Sequence, residues 1–326
     1  MTAYPLASGI GTSDVTLEPI RAGFGRGLLA AGKLDERIVA LCADLTESTQ
    51  MHLFKHEFPN RFIEVGVAEQ NLVTVAAGMA HAGKIPFTSS YAAFSPGRNW
   101  EQFKTTAALN DQPVTIVGSH AGINVGPDGA THQMLEDIAI MRVIPNVRVI
   151  APGDSIEAEK ATMAIAANPA PSYLRLARDK TPIFSTADSP FEIGKAYVLR
   201  EGKDLSIFST GTMTYHALVA ADQLSSKGID VEVVHVPTIK PLDEETILAS
   251  VRKTGRAVAV EEAQVAGGLG SAIAEVTSLR HPVQLLRLGV FDRFGESGAP
   301  TELLDAFRLT GPKIAEDIHA HLQQHA

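Results

Sequence analysis

Three stretches of the chain hold side chains whose types and spacing could do chemistry. In "NVGPDGATHQMLED", residues 124–137, Asp128 and His132 stand four apart on a backbone punctuated by Gly126, Pro127 and Gly129. An acid and an imidazole on a loop that can approach a ligand closely suit the reading of hydroxyls and the handling of protons. His120 flanks the same excursion. No close His/Cys/Glu ligand set accompanies these residues, so a metal site ranks below ligand binding.

In "EVGVAEQ", Glu69 opens an alanine-rich apolar run. A carboxylate at a helix N-terminus is favoured by the backbone dipole alone; the sharper alternative is a partly buried acid that hydrogen-bonds a cofactor nitrogen. Its neighbour Gln70 is expected at the surface. Tyr91 and Phe94 follow a strand end, just ahead of Pro96 and Gly97. They are either core aromatics or two rings that sandwich a flat heterocycle. Arg21 and Arg178 are far apart in sequence, yet each lies beside a segment that should end in one crevice. With Ser48 they make either solvated surface charge or a phosphate clamp of charge-assisted hydrogen bonds.

The elements that must position these residues alternate in type. Helical periodicity in "LEPIRAGFGRGLLAAGKL" is followed by the short apolar strand "RIVALCADL", then the helix "AEQNLVTVAAGMAHAG", ended by its glycine. Strand "IPFTSS", helix "GRNWEQFKTTAAL", strand "PVTIVGSH", a helix from about Met134, and strand "VRVIAPGD" continue the pattern, with Asp154 the expected N-cap of the next helix. After "PSYLRLAR" a Pro- and Ser-bearing tract, "TPIFSTADSPFEIG", has the composition of a linker. The rhythm then restarts from "LSIFSTG" to "PVQLLRLG". Such alternation predicts an α/β protein of two domains, each a mostly parallel sheet flanked by helices, over residues 14–184 and 192–326. The polar runs "ADLTES", "EVGVAEQ", "SSYAAF" and "SHAGINVGPDGATHQ" fall at expected strand ends, where open α/β sheets hold ligands.

Composition narrows the classes. The 326 residues are 45% hydrophobic and 20% charged, which suits a globular protein with a large core. A net charge of −9 with no basic block argues against nucleic acid as a partner. Cys42 is the single cysteine, so no intramolecular disulfide forms and a reducing compartment, the cytoplasm, is expected. The N-terminus shows no secretory pattern, and no apolar run reaches the ~20 residues of a membrane span. "EEAQVAGGLGSAIAEV" invites a dinucleotide guess, but lacks G-x-G-x-x-G spacing and points to close helix–strand packing.

"RFIEVGVAEQNLVTVAAGMAHAGKIPF", "SHAGINVGPDGATHQMLEDIAIMR" and "VEEAQVAGGLGSAIAEV" together closely resemble the C-terminal half of transketolases, and the likeness runs from about Glu18 to the end. It implies a pyrimidine-binding domain of a thiamine diphosphate enzyme followed by a transketolase C-terminal domain. The diphosphate-binding half, with its motif for Mg2+ or Ca2+, has no counterpart ahead of "EVGVAEQ". The resemblance therefore implies one subunit of a split transketolase, with a partner carrying the cofactor's diphosphate and metal, in a two-plus-two assembly around its own dimer core. Matched position by position, Glu69 is the glutamate on the aminopyrimidine ring. Tyr91 and Phe94 fall among its aromatics, with tyrosine where the family usually has phenylalanine. Arg21, Ser48, His120 and Arg178 match contacts to the phosphate of a sugar substrate. Asp128 and His132 match contacts to substrate hydroxyls and the reacting oxygen, and Asp44 a structural position. Glu69 and His132 are thus the expected catalytic pair in transfer of a two-carbon ketol unit from ketose to aldose. The beta chain of a 2-oxo-acid dehydrogenase and a non-catalytic scaffold subunit are the rival readings.

Overall fold

The computed structural model describes residues 4–324. Seven strands build the first sheet, in the spatial order Thr238–Lys240, Arg148–Ile150, Ser172–Arg175, Thr115–Ser119, Ile85–Tyr91, Ile38–Cys42, Phe62–Glu64. All its pairings are parallel except that of Thr238–Lys240, which runs antiparallel to Arg148–Ile150. The second sheet has five strands, ordered Gln284–Val290, Arg256–Gln264, Leu205–Ser209, Val231–His235, Tyr197–Arg200, with the last antiparallel to its neighbour. The protein is an α/β fold of two mostly parallel, helix-covered sheets.

Ile38–Cys42 is buried along its whole length, as expected for a strand covered on both faces. Its alternate side chains separate accordingly. Val39 and Leu41 join Leu72, Val73 and Ala76 on one side, whereas Ile38 and Ala40 join Phe24, Leu28 and Phe54 on the other. The helix Ile20–Leu34 lies hard against the helix Ser155–Ala167. Its glycines make that contact: a Cβ on Gly23 would stand 1.7 Å from the Ser155 carbonyl oxygen. This close seating places the first turn of the helix, and Arg21 with it, at the carboxyl ends of the strands.

Several elements differ from the periodicity. Leu17–Pro19 is a short strand paired with Lys180–Pro182, so the helix begins only at Ile20. The helix expected from Met134 starts at Asp137. The "GRNWEQFKTTAAL" segment is one α-turn, Trp100–Gln102, followed by a π-helical stretch, Phe103–Ala108. The tract with linker composition is pinned down. Asp154 caps its own helix through the Glu157 N–H, and its Oδ2 accepts from the N–H groups of Phe184 and Ser185. Lys160 Nζ donates to the carbonyls of Thr186 and Ser189.

Buried polar side chains tie the two sheets together. Arg175 donates to Asp137 Oδ2 (2.7 Å) and to the Glu262 carbonyl (2.8 Å), and the Tyr173 hydroxyl donates to the same Asp137 oxygen. Glu261 accepts from the N–H groups of Leu269 and Gly270. The glycine-rich turn therefore packs on the protein's own carboxylate, since a Cβ on Gly268 would meet Glu261 Oε2 at 1.8 Å.

Candidate active site

The residues with chemical potential follow the carboxyl ends of successive parallel strands: Ser48 after Ile38–Cys42, Glu69 after Phe62–Glu64, Tyr91 and Phe94 at Ile85–Tyr91, His120 after Thr115–Ser119, and Arg178 after Ser172–Arg175. They form two corners of one crevice.

Glu69 begins the helix Glu69–His81 and is 2% exposed. It borders a cavity of about 440 Å³ lined also by Val67, Asn71, Thr74, Arg98 and Gln102. Arg98 donates to its carboxylate at 2.9 Å, and the Asn99 amide donates to its carbonyl at 3.0 Å. The Arg98 guanidinium also lies 4.9 Å from the centroid of the Phe94 ring, which links this corner to the aromatics. Neither Arg98 nor Asn99 was expected from the chain. The sequence signal was a charged residue directly behind the Pro96–Gly97 turn.

The second corner is cationic. Arg21 Nη1 lies 3.0 Å from His120 Nε2, Ser48 Oγ lies 2.9 Å from the Tyr91 hydroxyl, and the Tyr91 and His120 rings stack at 3.9 Å. His120 sits in the left-handed region at φ 58°, uncommon for residues other than glycine. Burial, with Arg21, Arg178 and His132 nearby, pushes its imidazole down to about 2, so the ring is neutral at ordinary pH. Burial, then the Arg178 charge, holds Arg21 below the usual guanidinium range. Arg21 Nε is buried without a hydrogen-bond partner. Two guanidiniums held close make a place for an anion.

The glycine-rich loop meets the aromatic pair and Arg178. His132 meets the edge of Phe94 at 5.3 Å and of Tyr91 at 6.3 Å, and its Nδ1 lies 2.8 Å from Thr131 Oγ1. Asp128 turns to Arg178, at 3.6 Å, and Arg178 also donates to the Val125 carbonyl. The loop's shape depends on the second sheet: Glu262 accepts from Asn124 N–H at 2.6 Å and from the Thr212 hydroxyl at 2.8 Å. Gln133 donates to the Glu296 carbonyl at 2.8 Å. Glu262 is a further contributor missed in the sequence, where "VEE" reads only as a strand. Gln70 is exposed on the cavity rim, and Asp44, also exposed, gives its N–H to Glu64. Among the described residues no group of three or more His, Cys, Asp or Glu gathers to hold a metal, and no helix is long and apolar enough to cross a membrane.

Residues 19–183 match the transketolase pyrimidine-binding domain, and residues 194–314 match the transketolase C-terminal domain. The chain belongs to the transketolase family. It is 45% identical over 308 residues to a protein of Methanocaldococcus jannaschii named as a transketolase C-terminal section, covering 94% of this chain and 96% of that one. It is 44% identical over 292 residues to a 6-deoxy-6-sulfo-D-fructose transketolase subunit of a Clostridium species, covering 90% and 91%. Among solved structures, a split-gene transketolase described as an inactive β4 tetramer superposes with a TM-score of 0.85 at 38% identity, covering 94% of this chain and 98% of that one. Membership in this family supports a transferase, and its pyrimidine-binding domain implies binding of thiamine diphosphate.

Proposed function

We propose that this chain is the C-terminal subunit of a split transketolase, moving a two-carbon ketol unit from a ketose to an aldose. Residues 14–184 would serve as its pyrimidine-binding domain and 192–326 as its C-terminal domain. An N-terminal subunit would grip the cofactor's diphosphate and its Mg2+ or Ca2+, around a core made by two copies of this chain.

The observation that carries this reading is the buried Glu69 carboxylate bordering a cavity, one arginine away from the stacked pair Tyr91 and Phe94. A flat aminopyrimidine needs that combination: an acid that can share a proton with a ring nitrogen, and aromatic faces beside it. Once bound, thiamine diphosphate supplies the carbon nucleophile for ketol transfer. Glu69 holds the aminopyrimidine in place. His132, at the edges of both aromatic rings, handles the proton on the reacting oxygen. Asp128 takes substrate hydroxyls, and Arg21, Ser48, His120 and Arg178 take the charged end of the sugar. Asp128 would leave Arg178 for the substrate, since both groups currently occupy each other.

Two named relatives support the division of labour. One is named as a transketolase C-terminal section, and the solved one is a split-gene transketolase described as an inactive β4 tetramer. The ketose is proposed to carry a phosphate; the sulfofructose-acting relative makes a sulfonate the first alternative to assay. The test is purification with the N-terminal partner and a screen of ketose donors in thiamine diphosphate and Mg2+. Ketol transfer that needs both chains is expected; pyruvate decarboxylation without ketol transfer would overturn the assignment.

A further inference from the structure

We infer that the Tyr91 hydroxyl is a specificity device for the charged end of the substrate, fixing Ser48 as a hydrogen-bond donor toward a tetrahedral oxyanion on the sugar. The inference rests on the reading of Arg21, Ser48, His120 and Arg178 as the substrate's anion corner.

Stacking on a pyrimidine requires only a ring, and the phenylalanine usual in the family would supply one. The added hydroxyl is therefore free for another task. It lies 2.9 Å from Ser48 Oγ, on the side of the ring system that faces His120 and Arg21.

Proton accounting gives the direction of that bond. A guanidinium only donates, so at 3.0 Å from Arg21 Nη1 the His120 Nε2 must be an acceptor. The ring is neutral, so its hydrogen is on Nδ1, donated to Ser119 Oγ at 2.8 Å. His120 Nε2 therefore has no hydrogen for Ser48, which stands 3.4 Å away. The hydrogen between Ser48 and Tyr91 must come from one of the two hydroxyls, and a phenol is the stronger donor of the pair. With Tyr91 donating, the Ser48 hydrogen is left for an outside acceptor. The single His120 Nε2 lone pair already receives the Arg21 hydrogen at 3.0 Å, and Ser48 reaches it only at 3.4 Å. The corner then offers Ser48 O–H beside the Arg21 guanidinium, with the Arg178 guanidinium joining once Asp128 leaves it. A hydroxyl donor beside two guanidiniums suits a group with several terminal oxygens, which phosphate and sulfonate both have. Tyr91 acts through Ser48 and is a positioning residue for this recognition.

The experiment compares Tyr91→Phe, Ser48→Ala and the double variant in the complex reconstituted with the N-terminal subunit. Its substrates are a ketose phosphate, the matching sulfonate, and erythrulose, which carries no charge. Each single variant should lower the ratio of kcat/KM for a charged ketose over erythrulose by about tenfold, through KM. The double variant should fall no further than either single one, because the two hydroxyls act as a unit. A drop with phosphate or with sulfonate supports the role and says which anion the corner serves. Equal losses on erythrulose, or additive losses in the double variant, overturn it. In parallel, this chain alone is titrated with inorganic phosphate by calorimetry: about tenfold weaker binding by Tyr91→Phe is expected, and unchanged or absent binding in both proteins counts against the device. If the reconstituted complex turns over no ketose, the proposed function fails while the phosphate titration still decides on Tyr91.

Discussion

Glu261 offers a test that needs only this chain. Its carboxylate is fully buried and takes two hydrogen bonds, 2.7 Å from the Leu269 N–H and 2.9 Å from the Gly270 N–H. Burial outweighs these and the more distant Arg175 and Arg142, pushing the carboxyl up from 4.5 to about 7. The folded protein then holds this proton more tightly than the unfolded chain, so stability must fall as pH rises from 4.5 to about 7 and level off above. A displacement of about 2.5 pH units at about 1.4 kcal/mol each makes the loss roughly 3 kcal/mol. In Glu261→Gln no proton is released there. Its amide satisfies one N–H and opposes the other, at a cost of roughly 1–3 kcal/mol that does not change with pH. Urea unfolding at pH 5, 6, 7 and 8 should therefore show the variant weaker than the parent at pH 5, with the gap closing or reversing by pH 8. Glu262, also raised by burial, is common to both proteins and cancels in the difference. A gap that stays constant with pH would mean that Glu261 is ionised throughout, and the burial reasoning would be wrong.

Further outcomes follow from the site and the junction. Glu69→Ala should abolish ketol transfer in the reconstituted complex while leaving the fold intact by circular dichroism; near-normal turnover would remove Glu69 from the chemistry. Arg21→Ala should raise KM for an anionic ketose about 10–100-fold, from loss of hydrogen bonds made by a charged group, with erythrulose far less affected. Because burial pushes the His120 imidazole down to about 2, KM for that ketose should show no His120-dependent inflection near 6.5; one that vanishes in His120→Asn would refute the neutral ring. Asp137→Asn should cost about 3–5 kcal/mol in urea unfolding by leaving the Arg175 charge buried without its partner, and a loss under 1 kcal/mol would show that Arg175 finds another acceptor.

The parallel sheets were readable in the chain because strands covered on both faces, such as Ile38–Cys42, are unbroken apolar runs between glycine-ended helices. Asp154 was readable as a cap for an equally local reason: its side chain answers an N–H three residues ahead. Thr238–Lys240 was not, since three residues carry no period and their place is set by a strand some ninety positions earlier. The same holds for Arg98. Nothing near it in sequence names Glu69 as its partner, and the two meet only because a turn after one strand folds onto the helix after another. The Tyr91 hydroxyl shows the limit at atomic scale. Residue type announces a ring and an oxygen, but only the assembled crevice shows which neighbour the oxygen faces.

The antiparallel strand Thr238–Lys240 also bears on how this protein can be re-engineered. Its chain position assigns it to one half and its hydrogen bonds to the other, so a chimera joined in the tract after Arg178 would bring a foreign border strand to the first sheet. A poor fit there would leave the outer rim of Arg148–Ile150 open, and an open rim invites pairing between molecules. Exchanges between relatives are better made with Thr238–Lys240 and its recipient strand transferred as one piece.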